Sequence, residues 1–82
     1  MKENIEHVGR YMACKASITN AALTAKGCPA CAWFRHTHEL LGMGMALRSM
    51  GFDVQYEWDD TGLIAAVTVN GLRFPAPVLM PL

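Results

Sequence analysis

The sequence predicts an α+β fold, with two amino-terminal helices packed on one face of a three-stranded antiparallel β-meander. Three observations support this prediction. The first half is alanine-rich with helical spacing of apolar residues, a strictly alternating stretch follows residue 51, and two turn signals divide the rest into strands. At 82 residues, a single domain over residues 1–82 is expected.

The first helix is predicted over residues 3–26. Ile5, Val8 and Met12 recur at helical spacing, and the alanine-rich stretch that follows has high intrinsic helix propensity. The polar residues before Asn20 weaken the pattern, which leaves a break near that residue as an alternative.

The second helix is predicted over residues 29–50, because Pro29 suits a first-turn position and Gly51 suits a left-handed cap. Its apolar residues form two stripes, Trp33, Leu40, Met43, Leu47 and Met50 on one and Phe34, Leu41 and Met45 on the other. One stripe can cover the sheet while the second meets the first helix or a partner subunit. Gly42 and Gly44 each cost roughly 1 kcal/mol inside a helix, which favours close approach of another backbone.

Three strands are predicted, over residues 52–59, 63–69 and 72–79. Apolar and polar residues alternate strictly in the first strand, which is typical of a strand with one wet face. A four-residue loop over 59–62 and a two-residue Asn70–Gly71 loop then join the strands in the order 1-2-3.

The two loops set registers that can be compared. They pair Phe52 with Val69, Val54 with Val67, Tyr56 with Ala65, Trp58 with Leu63, Val69 with Leu72, Val67 with Phe74, Ala65 with Ala76 and Leu63 with Val78. All these residues are apolar or aromatic and fall on one face, so the two turns agree. Pro75 and Pro77 then take non-hydrogen-bonded positions, which requires the third strand to be an edge.

Composition limits the partners. Seven basic and seven acidic residues give a formal net charge of zero, and no basic stripe is visible, so no nucleic acid partner is expected. There is no apolar run of about 18 residues, so no membrane span is expected. Three cysteines are too few for a secreted disulfide framework, which favours the cytoplasm. Apolar residues make up 52% of a chain with little interior, which favours a homodimer.

Cys28-Pro29-Ala30-Cys31 is the motif with chemical content, at the predicted start of the second helix. Unpaired backbone N–H groups and the helix dipole favour a thiolate there. The motif resembles the active site of glutaredoxins and related thiol–disulfide oxidoreductases, and Ala76-Pro77-Val78 resembles the segment carrying the proline beside their dithiol. At this helix start Cys28 would be the acidic, nucleophilic thiol, with Cys31 as the resolving thiol one turn later. The glutaredoxin fold is not predicted, because residues 67–71 form a strand and turn where that fold needs a helix.

Zinc is a second alternative for the same cysteines. Cys28 and Cys31 have the spacing of a zinc half-site, with Cys14 or a second subunit as the completion. His36 and His38 lie roughly 7 and 10 Å further along the helix than Cys31, which argues against them as ligands. As a core residue, Cys14 would instead be inert.

The preferred interpretation is a non-enzymatic protein-interaction module, because no catalytic set is visible and a chain of this size leaves little room for a ligand cavity of several hundred cubic ångströms. The expected binding residues lie on the second helix: Phe34, Arg35, His38, Leu41 and Met45. The alternative surface is the outer sheet face, with Asp53, Gln55, Glu57, Ile64, Ala66, Thr68 and Arg73. Asp59 and Asp60 are explained by turn formation alone.

Overall fold

The computed structural model describes the backbone of residues 2–24 and 30–77 and the side chains of residues 4–23 and 34–77. The elements are helices α1 (Lys2–Thr24) and α2 (Ala30–Ser49), followed by strands β1 (Val54–Trp58), β2 (Ile64–Val69) and β3 (Leu72–Pro75). The strands form an antiparallel sheet of order β1-β2-β3, with α1 against β2 and β3 and α2 against β1. The predicted fold class is therefore confirmed. β3 ends before the predicted residue 79, which lies outside the described residues.

The hydrophobic core lies between the helices and one face of the sheet. Its buried members are Met12 and Ala16 of α1, Leu40 of α2, Val54 of β1, and Ile64, Val67 and Val69 of β2. Each large aliphatic side chain here contributes about 1.5–3 kcal/mol relative to full exposure. Three of these seven residues come from β2, because this strand lies between the other two and beneath α1.

Helix α1 continues without a break from Lys2 to Thr24, so the alternative of a break near Asn20 is wrong. The Asn20 side chain instead bonds to the sheet. Its Nδ2 donates to the carbonyl oxygen of Ile64 at 2.8 Å, and its Oδ1 accepts from the N–H of Ile64 at 2.8 Å. Both backbone polar groups of Ile64 are thus satisfied by one side chain, which explains an asparagine in this helix.

Two further contacts bring α1 close to β3. Gly9 is buried, and a Cβ added there would overlap the aromatic ring of Phe74. The Ser17 hydroxyl donates to the carbonyl oxygen of Pro77. Gly9 therefore weakens the helix in isolation but allows the helix to approach the sheet closely.

The predicted register between β2 and β3 is confirmed where the structure describes it. Val69 lies opposite Leu72 and Val67 lies opposite Phe74. Pro75 pairs with Ala66, in a position that needs no N–H donor to β2. The predicted pair of Leu63 with Val78 lies outside the described residues.

The predicted register between β1 and β2 is wrong by two residues. Val54 pairs with Val69 instead of Val67, and Tyr56 pairs with Val67 instead of Ala65. One residue of the shift comes from the turn, where the Asp59 N–H donates to the Leu63 carbonyl at 2.8 Å and leaves a three-residue loop. The other comes from a bulge between Glu57 and Trp58. An even shift keeps side chains on their predicted faces, so the core prediction survives over most of the sheet.

Between the bulge and the turn the shift is odd, and the faces change there. Ile64, predicted for the outer face, is 3% exposed in the core, whereas Leu63 and Ala65 are half-buried. Trp58, predicted for the core face, is 52% exposed. The prediction fails here because a bulge leaves no simple signal in an apolar strand.

Candidate functional site

One side of α2 is committed to the core. Leu40 is 1% exposed, and Met43 and Leu47 pack half-buried against the core residues. The Tyr56 hydroxyl of β1 donates to the backbone carbonyl of Leu40 at 2.9 Å. Burial raises the pKa of Tyr56, because desolvation disfavours the phenolate. Met50, predicted for this stripe, is 71% exposed, so that assignment is wrong.

The two glycines of α2 have different surroundings. Gly44 is buried beneath Tyr56, whose ring and hydroxyl occupy the space that a Cβ would need. Gly42 is exposed, and nothing among the described residues lies within 4 Å of a Cβ placed there. We expected another backbone to lie close to each glycine. At Gly44 this expectation is wrong, because the close neighbour is the Tyr56 side chain. At Gly42 no close neighbour lies within the described part of the chain.

Arg48 protects the open edge of β1. Its Nε and Nη2 donate to the carbonyl oxygen of Val54 at 3.0 and 2.6 Å. Alternation in an antiparallel ladder directs that carbonyl away from β2, since the Asn70 N–H bonds to the neighbouring Asp53 carbonyl. A charged side chain on an unpaired strand edge blocks further strand addition. The sequence alone did not assign this role to Arg48.

The opposite side of α2 carries the predicted binding residues, which we term the contact stripe: Phe34, Arg35, His38, Leu41 and Met45. All five are exposed. The exposed fractions of Phe34, Leu41 and Met45 are 55%, 38% and 67%. At 1.5 Å per residue the stripe extends over about 16 Å of helix surface. The structure therefore brings the predicted residues together on one accessible face.

Side-chain contacts order the amino-terminal part of the contact stripe. The rings of Phe34 and His38 lie 4.8 Å apart at an interplanar angle of 36°. Glu39, at the margin of the stripe, binds Lys15 of α1 at 2.6 Å and lies 3.9 Å from the Nε of Arg35. The hydrogen bond from Lys15 is the main cause of a lowered pKa at Glu39. This carboxylate thus links α1 to the base of the stripe.

A second apolar surface lies between the two helices. We term it the interhelical groove, lined by His7, Val8, Tyr11 and Met12 of α1 and by Met43, Ala46 and Leu47 of α2. Its volume is about 360 Å³, and the Tyr11 side chain at its rim is 63% exposed. Sequence reasoning did not expect a depression of this size, because it depends on how two helices pack together and neither helix alone indicates it.

The cysteines are only partly described. Cys28 lies outside the described residues, and the Cys31 side chain does as well, although its backbone belongs to α2. Cys14 is exposed on α1, so its assignment to the core is wrong. Among the described side chains, no group of three or more histidine, cysteine or acidic residues could hold a metal ion.

The structure also describes the surroundings of His36 and Asp59. His36 is half-buried, and neither its Nδ1 nor the neighbouring Thr37 hydroxyl has a hydrogen-bond partner within the described ranges. Asp59 Oδ1 accepts hydrogen bonds from the Thr61 hydroxyl and N–H and from the Leu63 N–H, and these lower the pKa of Asp59. Asp59 therefore serves the turn, as predicted.

The outer sheet face is a weaker candidate surface. The Arg73 Nε binds the Glu57 carboxylate at 2.8 Å, so two of its charged residues neutralise each other. Its predicted apolar members Ile64 and Ala66 are 3% and 0% exposed, so they offer nothing to a partner. The contact stripe and the interhelical groove are therefore the better candidates.

Comparison with known proteins found no relative of this chain. No family model matches the sequence, and the searches of curated proteins and of solved structures found no match. Within the described ranges, neither helix combines the length and hydropathy needed to cross a membrane.

Proposed function

We propose that this chain is a non-enzymatic protein-interaction module that self-associates as a homodimer. It acts as an inhibitor, adaptor or regulator by binding another macromolecule through the contact stripe. The observation that carries the proposal is the exposure of Phe34, Leu41 and Met45 along one face of a helix that is otherwise fixed to the fold.

The chemistry of the contact stripe suits a protein partner. Aromatic residues, methionine and arginine are enriched in protein interfaces, and the stripe contains all three. Burying the exposed half of a phenylalanine, leucine or methionine side chain contributes about 1 kcal/mol of binding free energy per side chain. Arg35, with its side chain 69% exposed, can then select a partner with an acidic or carbonyl-rich rim.

The fold provides a rigid support for this surface. Three contacts fix α2 in the fold. Leu40 is buried in the core. The Tyr56 hydroxyl donates to the Leu40 carbonyl, and the Arg48 guanidinium donates to the Val54 carbonyl. A preorganised helix loses less conformational entropy on binding than a flexible segment does. This is the helix-in-groove mode, in which spaced apolar anchors of one helix enter a partner's groove.

Leu41→Glu tests the contact stripe. The substitution places a charge among apolar contacts, so we expect partner binding to fall by at least about tenfold, because an unpaired charge in an interface costs more than 1.4 kcal/mol. Circular dichroism should show an unchanged fold, since Leu41 lies outside the core. Affinity purification with the wild type and the variant identifies partners, and calorimetry with each purified partner gives the affinity.

Gln55→Glu, on the exposed outer side of β1, is the matched control because it adds the same charge away from the stripe. If Leu41→Glu and Gln55→Glu retain every partner equally, the contact stripe is not the binding surface and the proposal fails at this point.

Native mass spectrometry separates this proposal from a thiol-based function at Cys28 and Cys31. Protein purified without added metal or reductant should show the reduced, metal-free mass as a dimer. A zinc adduct removed by chelator, or the loss of two hydrogen masses reversed by reductant, would place the dithiol at the centre of the function instead.

A further inference from the structure

We propose that the second copy of this chain docks in the interhelical groove, with Tyr11 of each copy lying in the groove of the other. The inference rests on the proposed function, since it names one partner of the interaction module as the chain itself. It concerns a different surface from the contact stripe, so the two can fail separately.

The exposed apolar side chains support a second copy. Within the described ranges, nine large hydrophobic side chains are exposed, and Tyr11 of the groove is among them. Charged residues make up only 17% of the chain. A second copy can cover such side chains through a two-fold contact.

The groove has the lining of an interface centre. Its floor is Met12, which is fully buried, and its walls include the half-buried Val8, Met43 and Leu47. No Lys, Arg, Asp or Glu is among the lining residues. Two identical grooves can therefore face each other without opposing like charges, and depletion of charge is the mark of an interface centre.

The rim supplies a matching projection. Tyr11 is 63% exposed beside the groove. A two-fold axis brings the same patch of each copy together, so a projection beside a depression becomes self-complementary. An aromatic ring with a polar tip suits this position, because the ring fills apolar space while the hydroxyl reaches the wet margin.

The α2 side of the groove allows close approach. Ala46 lines the groove, and Gly42 lies one turn before it on the helix. The space around a Cβ at Gly42 is open within the described residues. A partner backbone can therefore approach this turn, and that use accounts for a glycine that otherwise only weakens the helix.

A small apolar ligand is the competing occupant, because about 360 Å³ lies within the range of ligand sites. It is the weaker choice because it leaves the exposed ring of Tyr11 uncovered. The test therefore includes a free apolar probe.

The experiment is sedimentation equilibrium of the full chain over a concentration series, with circular dichroism of every variant. Tyr11→Ala and Ala46→Glu should each raise the dimer dissociation constant by roughly 30-fold, the effect of removing an aromatic anchor or burying a charge at an interface centre. Both positions are exposed, so the monomer should keep its fold. Leu41→Glu and Gln55→Glu should leave the constant unchanged.

Three results would overturn the groove as the dimer contact. The first is a wild type that stays monomeric up to high micromolar concentration. The second is a dimer that tolerates Tyr11→Ala and Ala46→Glu but dissociates with Leu41→Glu, which would move self-association to the contact stripe. The third is a monomer that binds anilinonaphthalene sulfonate and loses it with Ala46→Glu, which would make the groove a small-molecule site. Partner capture by the contact stripe is measured independently of all three.

Discussion

Helices α1 and α2 are similar in length, with 23 and 20 residues, but they are held to the sheet in different ways. Helix α1 places Met12 and Ala16 in the core, bonds to the backbone of β2 through Asn20 and approaches β3 at Gly9. Helix α2 places Leu40 in the core, and its ties to β1 are two side-chain contacts with backbone carbonyls.

The difference indicates a division of roles. Stability is concentrated on the sheet-facing side of α1, where close packing and part-buried hydrogen bonds make substitutions costly. Helix α2 keeps one side on the sheet and presents the other to solvent, so its exposed side can change for partner binding without loss of the fold. Variants at the buried positions of α1 should therefore alter unfolding, whereas variants of the contact stripe should alter partner binding.

Asn20→Ala should have the largest effect on the free energy of unfolding. It removes both bonds to Ile64 and leaves the N–H and carbonyl of a buried residue without partners, at a cost of about 3 kcal/mol. Urea denaturation at fixed protein concentration measures the loss. Asn20→Asp keeps the acceptor for the Ile64 N–H but removes the donor to the carbonyl, so its loss should be intermediate. A change below about 0.5 kcal/mol for Asn20→Ala would show that α1 is not tied to β2 by these bonds.

A matched pair of glycine substitutions compares the helices directly. Gly9→Ala forces a methyl group against the Phe74 ring and should destabilise by about 1–2 kcal/mol, since overpacking outweighs the gain in helix propensity. Gly42→Ala meets open space and should stabilise the monomer by about 0.5–1 kcal/mol. Thermal unfolding of both at low concentration gives the sign of each change. Equal shifts in one direction would contradict the asymmetry between the helices.

Tyr56→Phe should destabilise the fold by about 1 kcal/mol, because it removes the hydrogen bond that the hydroxyl donates to the Leu40 carbonyl. The variant also has a pH signature. Burial raises the pKa of Tyr56 in the folded state, so its contribution is complete below the ordinary tyrosine pKa of about 10 and is lost as pH rises through the folded value. Stability curves of the two proteins should therefore converge above pH 10. A constant gap across that range would mean that Tyr56 does not titrate with unfolding.

The fold class and most core positions could be predicted because hydrophobic period and turn chemistry are local properties of the sequence. Asn70–Gly71 fixed the register of β2 and β3, and the alternation of β1 identified its core face. The bulge near Trp58 could not be predicted, because a bulge leaves no simple signal in an apolar strand. The role of Asn20 was missed because its partner Ile64 is 44 residues away along the chain.

The candidate surfaces were predicted in part. The contact stripe could be read from α2 alone, because it lies on one side of one helix. The interhelical groove could not, because it needs the angle between two helices. A glycine inside α2 was the local sign that another chain segment comes close. Gly42 and Gly44 gave the same sign, but Gly44 accommodates the Tyr56 side chain, so the sequence alone could not tell the two apart.

The link between Asn20 and Ile64 has a consequence for synthesis on the ribosome. Helix α1 is made first, yet its Asn20 and Ser17 side chains bond to Ile64 of β2 and to Pro77 after β3, at separations of 44 and 60 residues. At roughly 5–20 residues per second, the helix waits about 2–9 s for β2 to be synthesised, whereas a helix itself forms in about a microsecond. During that interval α2 is the element that can pack against α1, so the side of α1 that faces the sheet in the native fold stays uncovered. Apolar surface exposed in this way is the kind that chaperones bind.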